Sequence, residues 1–324
     1  MEPAIDVLYI AGWQRSGSTI LANTLGAIDG FFSAGELHYL WDYVWFANTR
    51  CGCGRPFSDC PVWTAVLTAA YGGRHAVDPA AMLRLSKTGT RTRNMPLLAL
   101  PATRRVLASR IQPYLSNLHR LYRGLSAVTG AAVIVDSSKW PSYGRLLTMI
   151  PGLNVFVVHL VRDPRAVAHS WLRRTALADR DGPAFMYRRP LDSSIRWDVW
   201  NAATEAFWWF APHRYVRLRY EDFVECPEDT IRRLLDFVGQ RGRALPFTTP
   251  GEVDLPTTHT VSGNPARFRT GPIRIGLDEE WRMRMGRSDR FTVTAVTSPL
   301  LHRYGYPLRD GAFTRNGALE GTTT

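Results

Sequence analysis

Lysine is almost missing from this chain: of its 40 basic residues only Lys87 and Lys139 are lysines, the rest being arginines set against 28 acidic residues. A GC-rich genome accounts for that bias, and the net charge of +12 favours an anionic ligand through the summed field. The arginines are dispersed, with no basic helix, zinc-finger spacing or RNP-like aromatic segment, so nucleic acid is not an expected partner. Long apolar runs are missing too. Crossing a bilayer takes about 18 consecutive apolar residues, whereas the longest candidate, Val155 to Val161, is interrupted by His159. No basic segment precedes the first apolar stretch in MEPAIDVLYIAG, which reads as a strand and not as a signal peptide. A soluble, cytoplasmic protein is expected. Cysteine is scarce, but three of the four, Cys51, Cys53 and Cys60, share the segment CGCGRPFSDC. A zinc site would need a fourth ligand, from Cys226, His38 or His75, brought in by the tertiary fold. Free thiols in a reducing compartment are expected ahead of a disulfide or a metal.

What is present is material for a large core: 45% hydrophobic and 11% aromatic residues in 324. The expected organisation is a single α/β domain over residues 1–309, with a disordered tail over 310–324. Strand character at Ile5 to Ala11 is followed by a glycine-bearing loop and a helix from Thr19 to Ala27. A short strand at Phe31 to Ser33 and a helix from Glu36 to Ala47 come next. A helical insertion over about 61–128 is broken by Pro79, Pro96 and Pro101. Strands return at Ala131 to Val135, Asn154 to Val161 and Tyr215 to Leu218, separated by helical stretches, an alternation that implies a parallel sheet with right-handed crossovers. A helix near Pro227 to Gly239, a Pro/Gly-rich loop from Ala244 to Gly276 and two further helices complete the chain.

The first loop carries chemistry. Gly12-Trp-Gln-Arg15-Ser16-Gly17-Ser18-Thr19 follows a strand and opens a helix, where backbone N–H groups and the helix dipole converge on phosphate. It fits G-x-x-x-x-G-K-S/T except that Ser18 stands where a nucleotide triphosphatase carries lysine, and Arg15 lies three residues earlier. In isolation a glycine turn before a helix capped by Ser16 or Ser18 explains the same residues. A second segment, Val155 to Ser170, reads as a strand ending in Arg162, then a helix with Asp163 as N-cap and Pro164 in its first turn.

Taken together, the two motifs resemble the PAPS-dependent sulfotransferases, particularly the bacterial, tyrosylprotein-sulfotransferase-like branch; PAPS is 3'-phosphoadenosine-5'-phosphosulfate. The resemblance covers most of Ile5 to Arg269 and implies a P-loop-containing three-layer fold with a central parallel sheet. It implies that Arg15, Ser16, Gly17, Ser18 and Thr19 hold the 5'-phosphosulfate, with Arg15 at the bridging oxygen, and that Arg162 and Ser170 hold the 3'-phosphate. Tyr220, in Val216-Arg-Leu-Arg-Tyr220-Glu-Asp, is similar to a tyrosine near the adenine, and is equally a core residue. The stretch His259 to Arg269 resembles a late loop closing over the cofactor, with Ser262 near the sulfate and Arg267 and Arg269 near the 3'-phosphate. That loop departs from the G-x-x-G-x-x-K form of cytosolic animal members, so a solvated basic loop is the alternative.

Sulfuryl transfer needs in-line attack and dispersal of charge, so positioning and electrostatics dominate. The resemblance points to Glu36, in Ser33-Ala-Gly-Glu36-Leu-His38, as the base, with His38 as rival. Lys139, one of two lysines, stands at a strand end where a compact ammonium suits the transferring sulfate. No metal is expected. The acceptor is a hydroxyl on a small molecule or glycan, with Tyr39 to Phe46 and Tyr187 to Phe210 as candidate aromatic walls or helix-packing surface; a homo-oligomer is compatible. A P-loop kinase would require the loop lysine and an acidic Mg2+ ligand, and a non-catalytic nucleotide- or nucleic-acid-binding protein would not depend on Glu36.

Overall fold

The computed structural model describes residues 3–173, 175–176 and 185–308. The tail over 310–324 lies outside them. Five strands, β1 (Ile5–Ala11), β2 (Phe31–Gly35), β3 (Val133–Lys139), β4 (Leu153–Val161) and β5 (Tyr215–Arg219), form a parallel sheet in the order β2-β3-β1-β4-β5. In β1 successive residues go to opposite faces. Val7 and Tyr9 join one core cluster, Leu8 and Ile10 the other, and all four are fully buried, as a sheet covered on both sides requires. Helices α1 (Ser18–Gly26) and α10 (Pro227–Phe237) pack on the Leu8 face through Leu21, Leu25, Ile231 and Leu234. Covering the Tyr9 face are α6 (Gln112–Thr129), α7 (Pro141–Leu147) and α9 (Pro190–Trp208).

The expected insertion is helical, from α2 (Pro61–Tyr71) through α3 (Pro79–Thr90), α4 (Met95–Ala99) and α5 (Pro101–Arg110) to α6. Its prolines sit in first turns, where the missing N–H leaves no bond unmade. Two expectations need correction. The helix expected from Glu36 to Ala47 is broken: a 3-10 turn at Leu37–Tyr39 meets a π turn at Leu40–Val44, with Asp42 non-helical. The break lets Leu40 and Trp41 enter the core while Tyr39 and Tyr43 face a cavity. The loop expected from Ala244 to Gly276 contains β6 (Phe247–Thr249), β7 (Glu252–Leu255) and β8 (Gly271–Arg274), an antiparallel sheet too short and too often interrupted by Gly and Pro to show period-2 alternation.

The strand register sets the site. Ala11 is level with Lys139 on one side and His159 on the other, so the carboxyl ends of the three central strands open onto one crevice, where ligands of α/β sheets bind. Val261 extends the sheet edge: its N–H donates to Ala34 O at 2.9 Å and its carbonyl accepts from Glu36 N at 2.8 Å. Among the described residues no helix is long and apolar enough to cross a membrane.

Candidate active site

The loop leaving β1 turns into α1 at Gly17, whose φ of +88° places its α-carbon against Tyr220. A Cβ there would lie 2.3 Å from the Tyr220 ring. No side chain caps α1, so its first amides point into the crevice without a protein acceptor from the cap. Ser16 Oγ is fully buried and has no hydrogen-bond partner among the described residues. A buried hydroxyl and uncapped amides on one concave turn fit an anion. The Arg15 guanidinium stacks 5.0 Å from the Trp171 ring. Burial lowers its pKa, with the nearby Arg173 adding to the shift and Glu36 opposing it.

Arg162 follows β4, and α8 (Pro164–Leu172) begins beyond it, capped as expected by Asp163, whose carboxylate accepts from Arg165 N at 2.8 Å. Glu221 braces this corner by accepting from Asp163 N at 3.0 Å and from Tyr306 Oη at 2.7 Å. Arg162 donates to Arg15 O at 3.2 Å and lies over the Tyr220 ring at 4.6 Å. A third contact is the Asp278 carboxylate, 3.4 Å away. Ser170 is two turns along α8 and reaches the same cavity.

Across the crevice, Lys139 Nζ meets Glu36 Oε1 at 2.5 Å and donates to Ser137 O at 2.9 Å. The two side chains are only 5% and 10% exposed. Behind them Asp136 accepts from Ser138 N and from Tyr122 Oη, and burial raises its pKa to about 6. Overhead, Ser262 Oγ is hydrogen-bonded to Tyr43 Oη, and Gly263 closes on Glu36. Four non-glycine residues have positive φ among the described residues, and three of them, Arg15, Lys139 and Ser262, stand at this crevice. Such conformations persist where surrounding structure enforces them, and they gather at functional sites.

A cavity of about 480 Å³ unites these parts, with Arg15, Lys139, Arg162 and Arg173 as its cations and Glu36 as its carboxylate. Gly17, Ser18, Thr19 and Ser170 line it too, and Tyr39, Tyr43 and Trp171 supply aromatic wall. Of the residues singled out in the sequence, Arg15, Gly17, Ser18, Thr19, Glu36, Lys139, Arg162 and Ser170 line the cavity, whereas Ser16, Tyr220 and Ser262 touch or flank lining residues without lining it themselves. Arg267 is turned under the late loop, donating to Thr260 O at 2.7 Å and Arg50 O at 2.5 Å, so it holds the backbone and does not line the cavity. Arg269 is exposed and does not line it either. His38 is half-buried against Trp140 and Tyr143, and desolvation lowers its pKa to about 3. In the stretch Tyr187 to Phe210, Trp197, Trp200 and Trp208 are core residues while Tyr187, Trp209 and Phe210 are exposed, and none of the stretch lines the cavity. Sequence reading missed Gln14, which donates to Tyr39 Oη at 3.1 Å, and Arg173, one turn past Ser170, paired with Asp278 and Glu280. The i+3 spacing from Ser170 was the available signal for Arg173.

Comparison with known proteins assigns the class. The model described as sulfotransferase family matches residues 8–241, and the chain belongs to that family. Carbohydrate sulfotransferase 7 of Mus musculus is 27% identical over 238 residues, spanning 59% of this chain and 48% of that protein. Its Rattus norvegicus counterpart is 28% identical over 222 residues, spanning 54% and 44%. The chain thus spans about half the length of the curated relatives it matches. The sulfotransferase domain from the curacin biosynthetic pathway superposes with a TM-score of 0.52 at 17% identity, covering 95% of this chain and 100% of that domain, a likeness of fold.

Proposed function

We propose that this sulfotransferase uses PAPS as donor and sulfates a hydroxyl of a glycan or small molecule. The observation carrying the reading is that the buried Glu36–Lys139 pair faces the Arg15 loop across one cavity that also holds Arg162 and Ser170. The Ser16–Thr19 turn takes the 5'-phosphosulfate through backbone amides and the Ser16 hydroxyl. Arg15 stands by the bridging oxygen, where an always-charged guanidinium stabilises the departing phosphate. Arg162 and Ser170 take the 3'-phosphate, and the Tyr220 ring beneath Arg162 supports the neighbouring base.

Lys139 and Glu36 then act in sequence. The ammonium leaves the carboxylate for the sulfate oxygens, which frees Glu36 to accept the acceptor proton. The acceptor oxygen bonds to sulfur as the sulfur–oxygen bond to the 5'-phosphate breaks, giving a sulfate ester and adenosine 3',5'-bisphosphate (PAP). Ser262, hydrogen-bonded to the cavity-lining Tyr43, is the further candidate donor to the sulfate. His38 has no part in this, being outside the cavity and neutral. Tyr39, Tyr43 and Trp171 offer apolar ring faces, which suit the C–H faces of a sugar. The matched carbohydrate sulfotransferases support a glycan acceptor.

The test is transfer of labelled sulfate from PAPS into a panel of sugars, phenols and alcohols. Sulfate esters formed one for one with PAP are expected, with Glu36→Gln inactive. Transfer of phosphate from ATP with Mg2+, and none of sulfate, would replace this reading with a kinase.

A further inference from the structure

The cysteine segment is brought against the late loop, far along the chain. Cys51 and Cys60 are buried, Cys53 is half-buried, and the residue that joins them is His259, not Cys226, His38 or His75. Cys60 Sγ lies 3.2 Å from His259 Nδ1, Cys51 Sγ 3.9 Å from the same nitrogen, and Cys53 Sγ 3.8 Å from Cys60 Sγ. All four ligand atoms lie within 4.8 Å of one another. A tetrahedron with Zn–S of about 2.3 Å and Zn–N of about 2.0 Å has edges of roughly 3.5–3.8 Å. The observed separations fall around those edges, and they are far from the roughly 2.05 Å of a disulfide.

The backbone is built for the cluster. Gly54 N donates to Cys51 O at 2.8 Å, closing a turn that brings Cys51 and Cys53 together, and Cys51 N donates to Arg55 O at 2.8 Å. At Gly52 a Cβ would lie 2.3 Å from Thr258 Oγ1, so the turn can press on the late loop only without a side chain. Gly52 N reaches Thr260 O at 2.9 Å, and Trp63 Nε1 reaches His259 O at 2.7 Å.

We propose that Cys51, Cys53, Cys60 and His259 form a closed, structural zinc site that fixes the late loop over the catalytic cavity. Three thiolates and an imidazole are the soft, four-ligand donor set that zinc takes in structural sites, and no ligand lines the catalytic cavity. Binding displaces the thiol protons to solvent. The ion's role is mechanical: His259 lies three residues before Ser262, whose hydroxyl meets Tyr43 at the site. All four cysteines are free of disulfides, as the sequence leads one to expect; the proposal makes three of them thiolate ligands, and it stands whether or not PAPS is the donor.

The test begins with untagged wild-type protein. Elemental analysis is expected to find about one zinc per chain, and a thiol reagent under native conditions to reach Cys226 alone until a mercurial or strong chelator releases the metal. Cobalt substitution should give thiolate-to-metal charge transfer and the visible bands of a tetrahedral ion. Cys53→Ser should lose the zinc, and Cys226→Ser should keep it. Stripping the zinc should speed hydrogen exchange over residues 256–264. Metal-free protein whose cluster thiols react at once and give no cobalt charge transfer overturns the proposal, as does a disulfide among them or stoichiometric iron. Because the wild-type measurements need no variant, misfolding of Cys53→Ser would not blunt them.

Discussion

Replacing Glu36 with glutamine removes the proposed base while leaving an oxygen for Lys139. Loss of a positioned general base lowers kcat by roughly 100- to 10,000-fold. The structural penalty is smaller. Lys139 Nζ keeps Ser137 O at 2.9 Å and can keep the glutamine oxygen in place of the carboxylate now 2.5 Å away. Weakening one charged hydrogen bond costs about 1–3 kcal/mol, whereas Glu36→Ala strands a buried ammonium at about 3–5 kcal/mol. The predicted pattern for Glu36→Gln is therefore a small loss in denaturant midpoint, PAP affinity within about threefold of wild type by titration calorimetry, and transfer of labelled sulfate near background. Activity within about tenfold of wild type would refute the role of Glu36 as base. Loss of PAP binding together with activity would show that Glu36 acts through the shape of the site.

Arg162→Ala should weaken PAP by roughly 10- to 100-fold, the worth of one charge-assisted contact, and AMP hardly at all, checked by calorimetry with both nucleotides. Gly17→Ala drives a methyl group into the Tyr220 ring at a positive φ and should abolish PAP binding, measured by the same titration. Arg267→Ala should lower the unfolding midpoint, because Arg50 O and Thr260 O each lose the guanidinium and Thr260 O is left with Gly52 N–H, while PAP affinity stays unchanged; a drop in affinity without a drop in stability would restore Arg267 to the nucleotide site. His38, with its folded pKa lowered to about 3, gives a pH signature. The unfolded histidine takes up a proton below about pH 6.5 that the folded one refuses, so its contribution is complete above that pH and falls by about 1.4 kcal/mol per pH unit down to about pH 3. Wild-type unfolding free energy minus that of His38→Phe should follow this slope, and a difference independent of pH would contradict the lowered pKa of His38.

Much of the crevice was legible because strand ends and loop motifs are local. Arg15 to Thr19, Glu36, Lys139 and Arg162 each lie at or just beyond the end of a buried apolar strand, with Ser170 two turns along the helix that follows Arg162, and a parallel sheet brings such ends to one edge. What escaped depends on contacts remote in sequence. Arg267 reads as one more basic residue near an anion, yet its two carbonyl partners, Thr260 and Arg50, lie on segments that only the fold unites. The π turn at Leu40–Val44 follows from tertiary burial of Trp41 and leaves no mark in periodicity. His259 is the same case: no spacing in the chain joins it to cysteines about two hundred positions earlier.

The most direct measurement of the central claim is calorimetric titration of the wild-type protein with PAP and, separately, with AMP. The account predicts one PAP site per chain and AMP weaker by roughly 100-fold, since AMP lacks the 3'-phosphate that Arg162 and Ser170 are proposed to hold. Equal affinities, or no binding of PAP, would contradict it.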